Sequence, residues 1–274
     1  MFNTDYALTN EQIESYRENG FVQLPDVVSG RELKRIREAV TGAVKEEVQS
    51  DKRTFNEKSA YEHIFIQRIN LWARHPALEE FILSRRFGNI AARLSGYNVR
   101  IFHDHALYKE ARTGARTPWH QDTHYWPHQQ IGHQLSLWLA LVDVPVKSGC
   151  LAFLPGTQHI KDAPLVHLGK DNRELREIAP QLNGRKGACV PLKAGSCTFH
   201  NGLTFHYAGP NRSESLREGL AIIYMPDGTT YSGQRHVMNF DEFSPGDKLQ
   251  GKLFPLVSDV SNLKIIEPLE LAAK

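Results

Sequence analysis

The chain has 274 residues, 41% hydrophobic and 23% charged, so a core of useful size can form within one large domain or two small ones. Lys and Arg total 33 against 31 Asp and Glu, a formal net charge of +2, which gives no general attraction to nucleic acid or to an anionic membrane. Three cysteines (Cys150, Cys189, Cys197) are too few for a disulfide scaffold, and their apolar, strand-like surroundings predict buried free thiols.

Thr9-Asn10-Glu11-Gln12 reads as a capping box that opens a short helix through Tyr16, ended by Gly20. Phe21 to Leu24 reads as a strand stopped by Pro25. Ser29-Gly30-Arg31-Glu32 reads as a second capping box. The helix after it spaces Leu33, Ile36, Val40, Ala43 and Val44 along one face, with a solvated charged face opposite. Residues 50 to 60 are polar and predict a loop, and Ile64 to Ile69 a strand. Pro76 suits the first turn of a helix running through Leu78, Phe81, Ile82, Phe87 and Ile90 to Leu94, ended by Gly96.

After Tyr97 the pattern turns to short apolar runs between Gly, Pro and Asn turns. Predicted strands are Val99–Phe102, Ala106–Lys109, Gln134–Leu141, Cys150–Leu154, Ala188–Leu192, Ser196–His200, Leu203–Tyr207 and Gly219–Met225, a set that suits a jelly roll or barrel. Residues 161–187 form a long polar insertion with a short helix around Glu174 to Ile178; such insertions in a β core are often functional loops. From 226 to 274 the pattern fades into a segment expected to pack over one mouth of the β core as a lid. No repeat or linker divides the chain, so 1–274 reads as a single domain, with 1–96 a mainly helical flank and 97–225 the β core. No charged-then-apolar leader opens the sequence and no apolar run approaches ~18 residues, so a cytoplasmic protein that does not span a membrane is expected.

Chemistry concentrates in Thr117-Pro118-Trp119-His120-Gln121-Asp122. On an extended backbone His120 and Asp122 project from one face and can grip one ion. Phe205-His206-Tyr207 offers a third ligand from another strand. Two His and one carboxylate with open positions opposite suit Fe(II) and O2 chemistry, although zinc in a hydrolytic site uses the same residue types. Histidine is frequent, at 13, so a His-x-Asp pair alone is weak evidence. His103-Asp104-His105 is a competing cluster without an equally natural third ligand, read more simply as a strand that ends near the site. His200 reads as a core residue or a neighbour of the ligands. Arg217 follows the Gly209-Pro210-Asn211-Arg212-Ser213 turn and offers a bidentate fork for a carboxylate; Arg212, within the turn, is less suited.

These blocks together resemble the phytanoyl-CoA dioxygenase family of Fe(II)/2-oxoglutarate oxygenases. The resemblance rests on Thr117 to Asp122, on Leu137-Trp138-Leu139-Ala140-Leu141-Val142-Asp143-Val144 with Ser148-Gly149-Cys150-Leu151, on Leu154-Pro155-Gly156-Thr157-Gln158-His159, and on His206 to Ser213 with Arg217. Four blocks in order, spanning about 107 to 225, are far more specific than one His-x-Asp, and Leu8 to Leu24 also looks like the family's opening. The resemblance implies a mainly β fold, a double-stranded β-helix (cupin-like jelly roll) with N-terminal and flanking helices. It implies an enzyme using Fe(II), 2-oxoglutarate and O2, with His120, Asp122 and His206 as iron ligands and Arg217 on the distal carboxylate of 2-oxoglutarate. Lys109, Gln134 and Trp138 match positions that commonly line the co-substrate pocket. Tyr207-Ala208 departs from the small or hydroxylated residue that many members carry before the glycine. Related halogenases lack the carboxylate, so Asp122 favours hydroxylation or another oxidation over halogenation.

The expected reaction oxidises a C–H bond of a small polar metabolite or natural-product intermediate, with succinate and CO2 as co-products. Tyr125, Trp126 and His128, directly after the metal pair, are candidates to border the substrate, as are Tyr61, Phe65, Arg235 and His236. On residues alone, a non-catalytic cupin-like binding protein and a divalent-metal hydrolase or isomerase stay open. A small molecule is the expected partner; the sequence does not specify an oligomeric state.

Overall fold

Thr9 caps the first helix as its sequence predicts. Its side chain accepts from the Gln12 backbone N–H while Gln12 reaches back to the Thr9 N–H, and Gly20, at φ 78°, closes the helix in the left-handed region. The computed structural model describes residues 4–58, 62, 65–170, 173–238 and 240–258. Within them the elements run α1 (Asn10–Asn19), β1 (Phe21–Leu24), α2 (Gly30–Ser50), β2 (Ile66–Ile69), α3 (Glu79–Ile82), α4 (Arg85–Ser95), β3 (Val99–Lys109), β4 (Thr117–His120), β5 (Leu135–Ala140), β6 (Leu151–Phe153), α5 (Leu175–Ile178), β7 (Ala188–Val190), β8 (Cys197–Asn201), β9 (His206–Ala208) and β10 (Arg217–Pro226).

All strand pairs are antiparallel. A six-stranded sheet has the order β1-β8-β5-β10-β3-β2 and a four-stranded sheet the order β4-β9-β6-β7. The fold is thus the mainly β jelly roll expected, with helices on one side. Period-two alternation divides the larger sheet. Leu135, Leu137 and Leu139 of β5 and Leu220, Ile222 and Tyr224 of β10 pack against Ile36 and Val40 of α2 and Phe87, Ile90 and Leu94 of α4. The intervening residues face the other sheet. A strand covered on both faces explains why β5 and β10 read as nearly continuous apolar runs.

Four local expectations need correction. Ser29 precedes α2 but makes no capping bond; Glu32 instead receives the buried Arg86 guanidinium at 2.7 Å, tying α2 to α4. The helix expected from Pro76 to Leu94 is broken into a 3-10 turn at Pro76–Leu78, then α3 and α4, because Ser84 takes ψ 128°. The two strands expected on either side of His103-Asp104-His105 are one strand, β3, which runs straight through that tripeptide. Cys150 and Cys197 are buried free thiols, but Cys189 is exposed on the edge strand β7.

The insertion between β6 and β7 is more apolar than its sequence suggests. Ala163, Val166, Ile178, Ala179 and Leu182 pack with Leu154 and Phe205. Past β10, Tyr231, Phe240, Leu249 and Phe254 gather on Phe102, Trp126 and Met225, which holds residues 234–237 at the rim of the cavity between the sheets. No helix among the described residues is long and apolar enough to cross a membrane.

Candidate active site

Strand register sets the inward residues of the six-stranded sheet in rows. One row runs His200, Ser136, Ile223, His103 across β8, β5, β10 and β3. The next runs Thr198, Trp138, Ala221, His105, Ile69 and ends on β2. A third holds Ala140, Gly219, Leu107 and Gln67, and Arg217 pairs with Lys109 beyond it. A cavity of about 600 Å³ lies over these rows and is bounded opposite by Thr117, Leu151, His206 and Ala208 of β4, β6 and β9. Gly219 has a clear reason: a Cβ there would stand 2.3 Å from the Trp138 ring, so only glycine lets that indole lie across β10.

At one end of the cavity three ligand atoms converge. β4 and β9 pair with His120 opposite His206. The Nε2 atoms of both lie 3.5 Å from Asp122 Oδ1. One ligand atom from each residue falls within 4.8 Å of the others, the sole such group of His, Cys, Asp or Glu among the described residues. Gln121 keeps the extended backbone that puts His120 and Asp122 on one face, while its own buried amide donates to the Leu203 and Ile160 carbonyls on the other.

Each donor is oriented by a second bond. His120 Nδ1 donates to the Pro118 carbonyl at 2.8 Å and His206 Nδ1 to the Thr204 carbonyl at 3.0 Å. A carbonyl can only accept, so both rings carry the proton on Nδ1 and offer an Nε2 lone pair. Ser136 Oγ donates to Asp122 Oδ2 at 3.0 Å, and His200 Nε2 lies 3.3 Å from the same oxygen, leaving Oδ1 aimed between the imidazoles. Burial acts to raise the Asp122 carboxyl, but His206, His120 and His200 around it hold it well below the usual carboxylate range. Burial, with His120 beside it, pushes His206 well below an ordinary imidazole. A carboxylate oxygen and two neutral imidazole nitrogens on one face are a donor set suited to Fe(II).

Arg217 stands at the far end of the β10 row, buried to 2% exposure. Its guanidinium donates to the Gly149 carbonyl at 2.8 Å and lies 5.4 Å from the ring centroids of both Phe65 and Trp138. Trp138, Phe65, Tyr125, Trp126, Arg235 and His236 all line the cavity. Tyr125 is tied to the insertion through its hydroxyl on the Val166 carbonyl. Arg235 is exposed at the rim.

Three expected residues do not line it. Lys109 is buried beneath the Phe65 ring, 4.5 Å from its centroid, and donates to the Gly209 and Ala115 carbonyls. Burial, then the neighbouring Arg217, pushes its ammonium down to about 6. Gln134 spends both ends of its amide on the loop before β5, at Gly132 and Gln130. His128 lies behind the wall, its ring 4.5 Å from that of Phe102. Tyr61 lies outside the described residues.

Sequence reading overlooked Ser136 and Gln67 as cavity residues, and Leu165 and Leu168 of the insertion, and took His103 and His105 only as a strand end near the site, where they line the cavity. Parity carried the signal for β3. His103, His105 and Leu107 share a strand face with Lys109, and Asp104, on the opposite face, accepts from the Leu71 and Trp72 N–H groups.

The phytanoyl-CoA dioxygenase (PhyH) family profile matches residues 16–219. Human peroxisomal phytanoyl-CoA dioxygenase is 22% identical over 78% of this chain and 68% of its own length. Among solved structures, the non-heme alpha-ketoglutarate-dependent carbocyclase SnoK from nogalamycin biosynthesis is 31% identical, covering 92% of this chain and 97% of its own, with a TM-score of 0.79. The epimerase SnoN, solved with Fe3+, alpha-ketoglutarate and nogalamycin RO, is 25% identical over 90% and 97%, with a TM-score of 0.73. These matches settle in favour of an oxygenase what residue spacing left open between iron and zinc and between catalysis and binding. The chain belongs to the phytanoyl-CoA dioxygenase (PhyH) family and is a non-haem Fe(II)/2-oxoglutarate-dependent oxygenase, with Fe(II) as its metal, 2-oxoglutarate as co-substrate and O2 as oxidant.

Proposed function

We propose that this oxygenase hydroxylates a C–H bond of a natural-product intermediate with a flat, largely apolar body and a polar edge. His120, Asp122 and His206 hold the iron, and Arg217 pairs with the distal carboxylate of 2-oxoglutarate. Asp122 supplies the carboxylate that a halogenating site would leave out. The carrying observation is one cavity that contains the convergent donors at one end, the ring-flanked Arg217 on β10 of the facing sheet, and about 600 Å³ of space. That volume suits a molecule of several rings. Phe65, Leu107, Leu151, Leu168 and Ile223 give it apolar walls, which favours a natural-product intermediate over a small polar metabolite. SnoK and SnoN, named for work on nogalamycin, support the same class.

Bound at the triad, Fe(II) supplies the O2 chemistry by which 2-oxoglutarate, O2 and the substrate C–H become succinate, CO2 and the hydroxylated product. The chain's part is positioning. Ser136 and His200 hold Asp122 Oδ2 so that Oδ1 keeps its aim. Trp138 and Phe65 flank the Arg217 guanidinium and keep water from its fork, which strengthens a carboxylate pair. Tyr125 and the Leu165–Leu168 stretch cover the substrate side.

The test is succinate formation from 2-oxoglutarate with Fe(II) and ascorbate across a panel of multi-ring natural-product intermediates, with product mass read in parallel. Substrate-dependent succinate with a gain of one oxygen supports hydroxylation. Succinate with loss of two hydrogens and no added oxygen replaces it with desaturation or ring closure. No succinate with any compound removes the proposal.

A further inference from the structure

His103, His105 and His236 have no task in the chemistry above, yet all three line the cavity. His103 and His105 share the inward face of β3, their ring centroids 4.3 Å apart, and His236 comes from the C-terminal segment, 5.6 Å from His103. The row His200–Ser136–Ile223–His103 puts His103 two strands beyond Ser136, which at ~4.8 Å per strand is roughly 10 Å from the triad's support.

Hydrogen bonds fix what two of the rings offer. Gln67 Nε2 donates to His105 Nδ1 at 2.8 Å, and the Met238 N–H donates to His236 Nδ1 at 3.2 Å. Both rings therefore carry their proton on Nε2 and keep an N–H to give. His103 is 1% exposed, and its Nδ1 has no hydrogen-bond partner among the described residues. No hydrogen bond sets its tautomer, so the ring can accept from a hydroxyl or donate to one.

We propose that His103, His105 and His236 form the substrate's polar subsite, which binds a neutral hydroxyl group, phenolic or alcoholic, on the edge of a ring system that lies two strands across the sheet from Ser136. The hydroxyl donates to His103 and accepts from an Nε2–H of His105 or His236. This rests on the substrate class proposed above and adds the group by which the substrate is recognised and aimed. The rings stay uncharged: burial, then the neighbouring histidines, depresses His103 well below an ordinary imidazole; burial takes His105 to about 4 against the opposing pull of Asp122; and burial takes His236 to about 4. An uncharged wall favours a hydroxyl over a carboxylate or phosphate.

The holoenzyme with Fe(II) and 2-oxoglutarate under nitrogen is dialysed against 2-naphthol, 2-methoxynaphthalene and 2-naphthoate, which present the same rings with a hydroxyl, a capped oxygen and an anion. The native enzyme should hold 2-naphthol about tenfold more tightly than either of the others, because a site built to bond a hydroxyl rejects analogues that cannot complete the bond. In the double variant His103→Leu with His236→Leu the ratio should fall to about one, with 2-methoxynaphthalene bound as in the native enzyme, which also reports that the cavity is intact. Preference for 2-naphthoate, no discrimination by the native enzyme (binding none of the three included), or a ratio that survives in the double variant would overturn the subsite. Succinate formation by the same native preparation reports separately on the underlying function. Turnover without naphthol preference removes the subsite alone; absence of turnover on every substrate removes the class on which it rests.

Discussion

The two ends of the cavity are both built from histidine, and they are finished differently. At the β4–β9 end the ring nitrogens of His120 and His206 are accounted for, with Nδ1 on a backbone carbonyl and Nε2 aimed at the Asp122 oxygen. At the β3 end, His103 Nδ1 has no partner, and His103, His105 and His236 do not bring their nitrogens together as a metal-holding group among the described residues. A metal-binding imidazole usually donates its far N–H and offers the other nitrogen's lone pair; His105 and His236 instead accept at Nδ1 and keep the proton on Nε2. Burial leaves them neutral hydrogen-bonding groups. The tautomer of the rings therefore separates the ends, together with the Asp122 oxygen between His120 and His206, and the register of β8, β5, β10 and β3 keeps them apart.

The harshest way to break the comparison is His206→Ala. Succinate formation should fall by more than about 100-fold, beyond what loss of an outer hydrogen-bond partner typically costs, and atomic absorption should show iron lost with it. Retained iron and turnover would move the metal away from the triad. Arg217→Ala should raise the 2-oxoglutarate KM about 100-fold, as expected for losing one partner of a desolvated ion pair, while iron content stays native. An unchanged KM would take Arg217 out of the co-substrate site.

His128→Phe probes the neutral side through stability. Burial pushes His128 down to about 3 in the folded chain, against about 6.5 when unfolded. As pH falls below about 6.5 the unfolded chain takes up a proton that the folded chain refuses, so stability is lost on the way down, by about 2 kcal/mol at pH 5. Both ring nitrogens of His128 are buried without a partner among the described residues, so Phe keeps the packing and drops the titration. Urea unfolding at pH 7.5 and pH 5 should show a smaller acid loss in the variant; an equal loss would place the acid sensitivity elsewhere. Ser136→Ala is the mildest change. With one donor to Asp122 Oδ2 removed, Fe(II) affinity under nitrogen should weaken about tenfold, and no change would mean that His200 alone holds the carboxylate.

The candidate ligands and Arg217 stand out in the sequence because they are close together or follow a distinctive turn. His120 and Asp122 share a face at i and i+2, and Arg217 opens a strand after a Gly-Pro-Asn turn. The jelly roll was legible from alternation and turn spacing. Ser136 and the His103 wall were not, because what places them is register between strands far apart in the chain, and a shift of one residue would have turned each to the helical side. Gln134 misled for the same reason: one position before Leu135, it turns its amide into the loop before β5. The break at Ser84 and the unused cap at Ser29 reflect the Glu32–Arg86 pair between two helices, which local pattern does not encode.

The most direct measurement is a crystal structure with iron and 2-oxoglutarate, the metal located by anomalous scattering at the iron edge. The expected result is one iron on His120 Nε2, Asp122 Oδ1 and His206 Nε2, with the distal carboxylate of 2-oxoglutarate on Arg217. Iron among His103, His105 and His236, or a co-substrate carboxylate held away from Arg217, would contradict it.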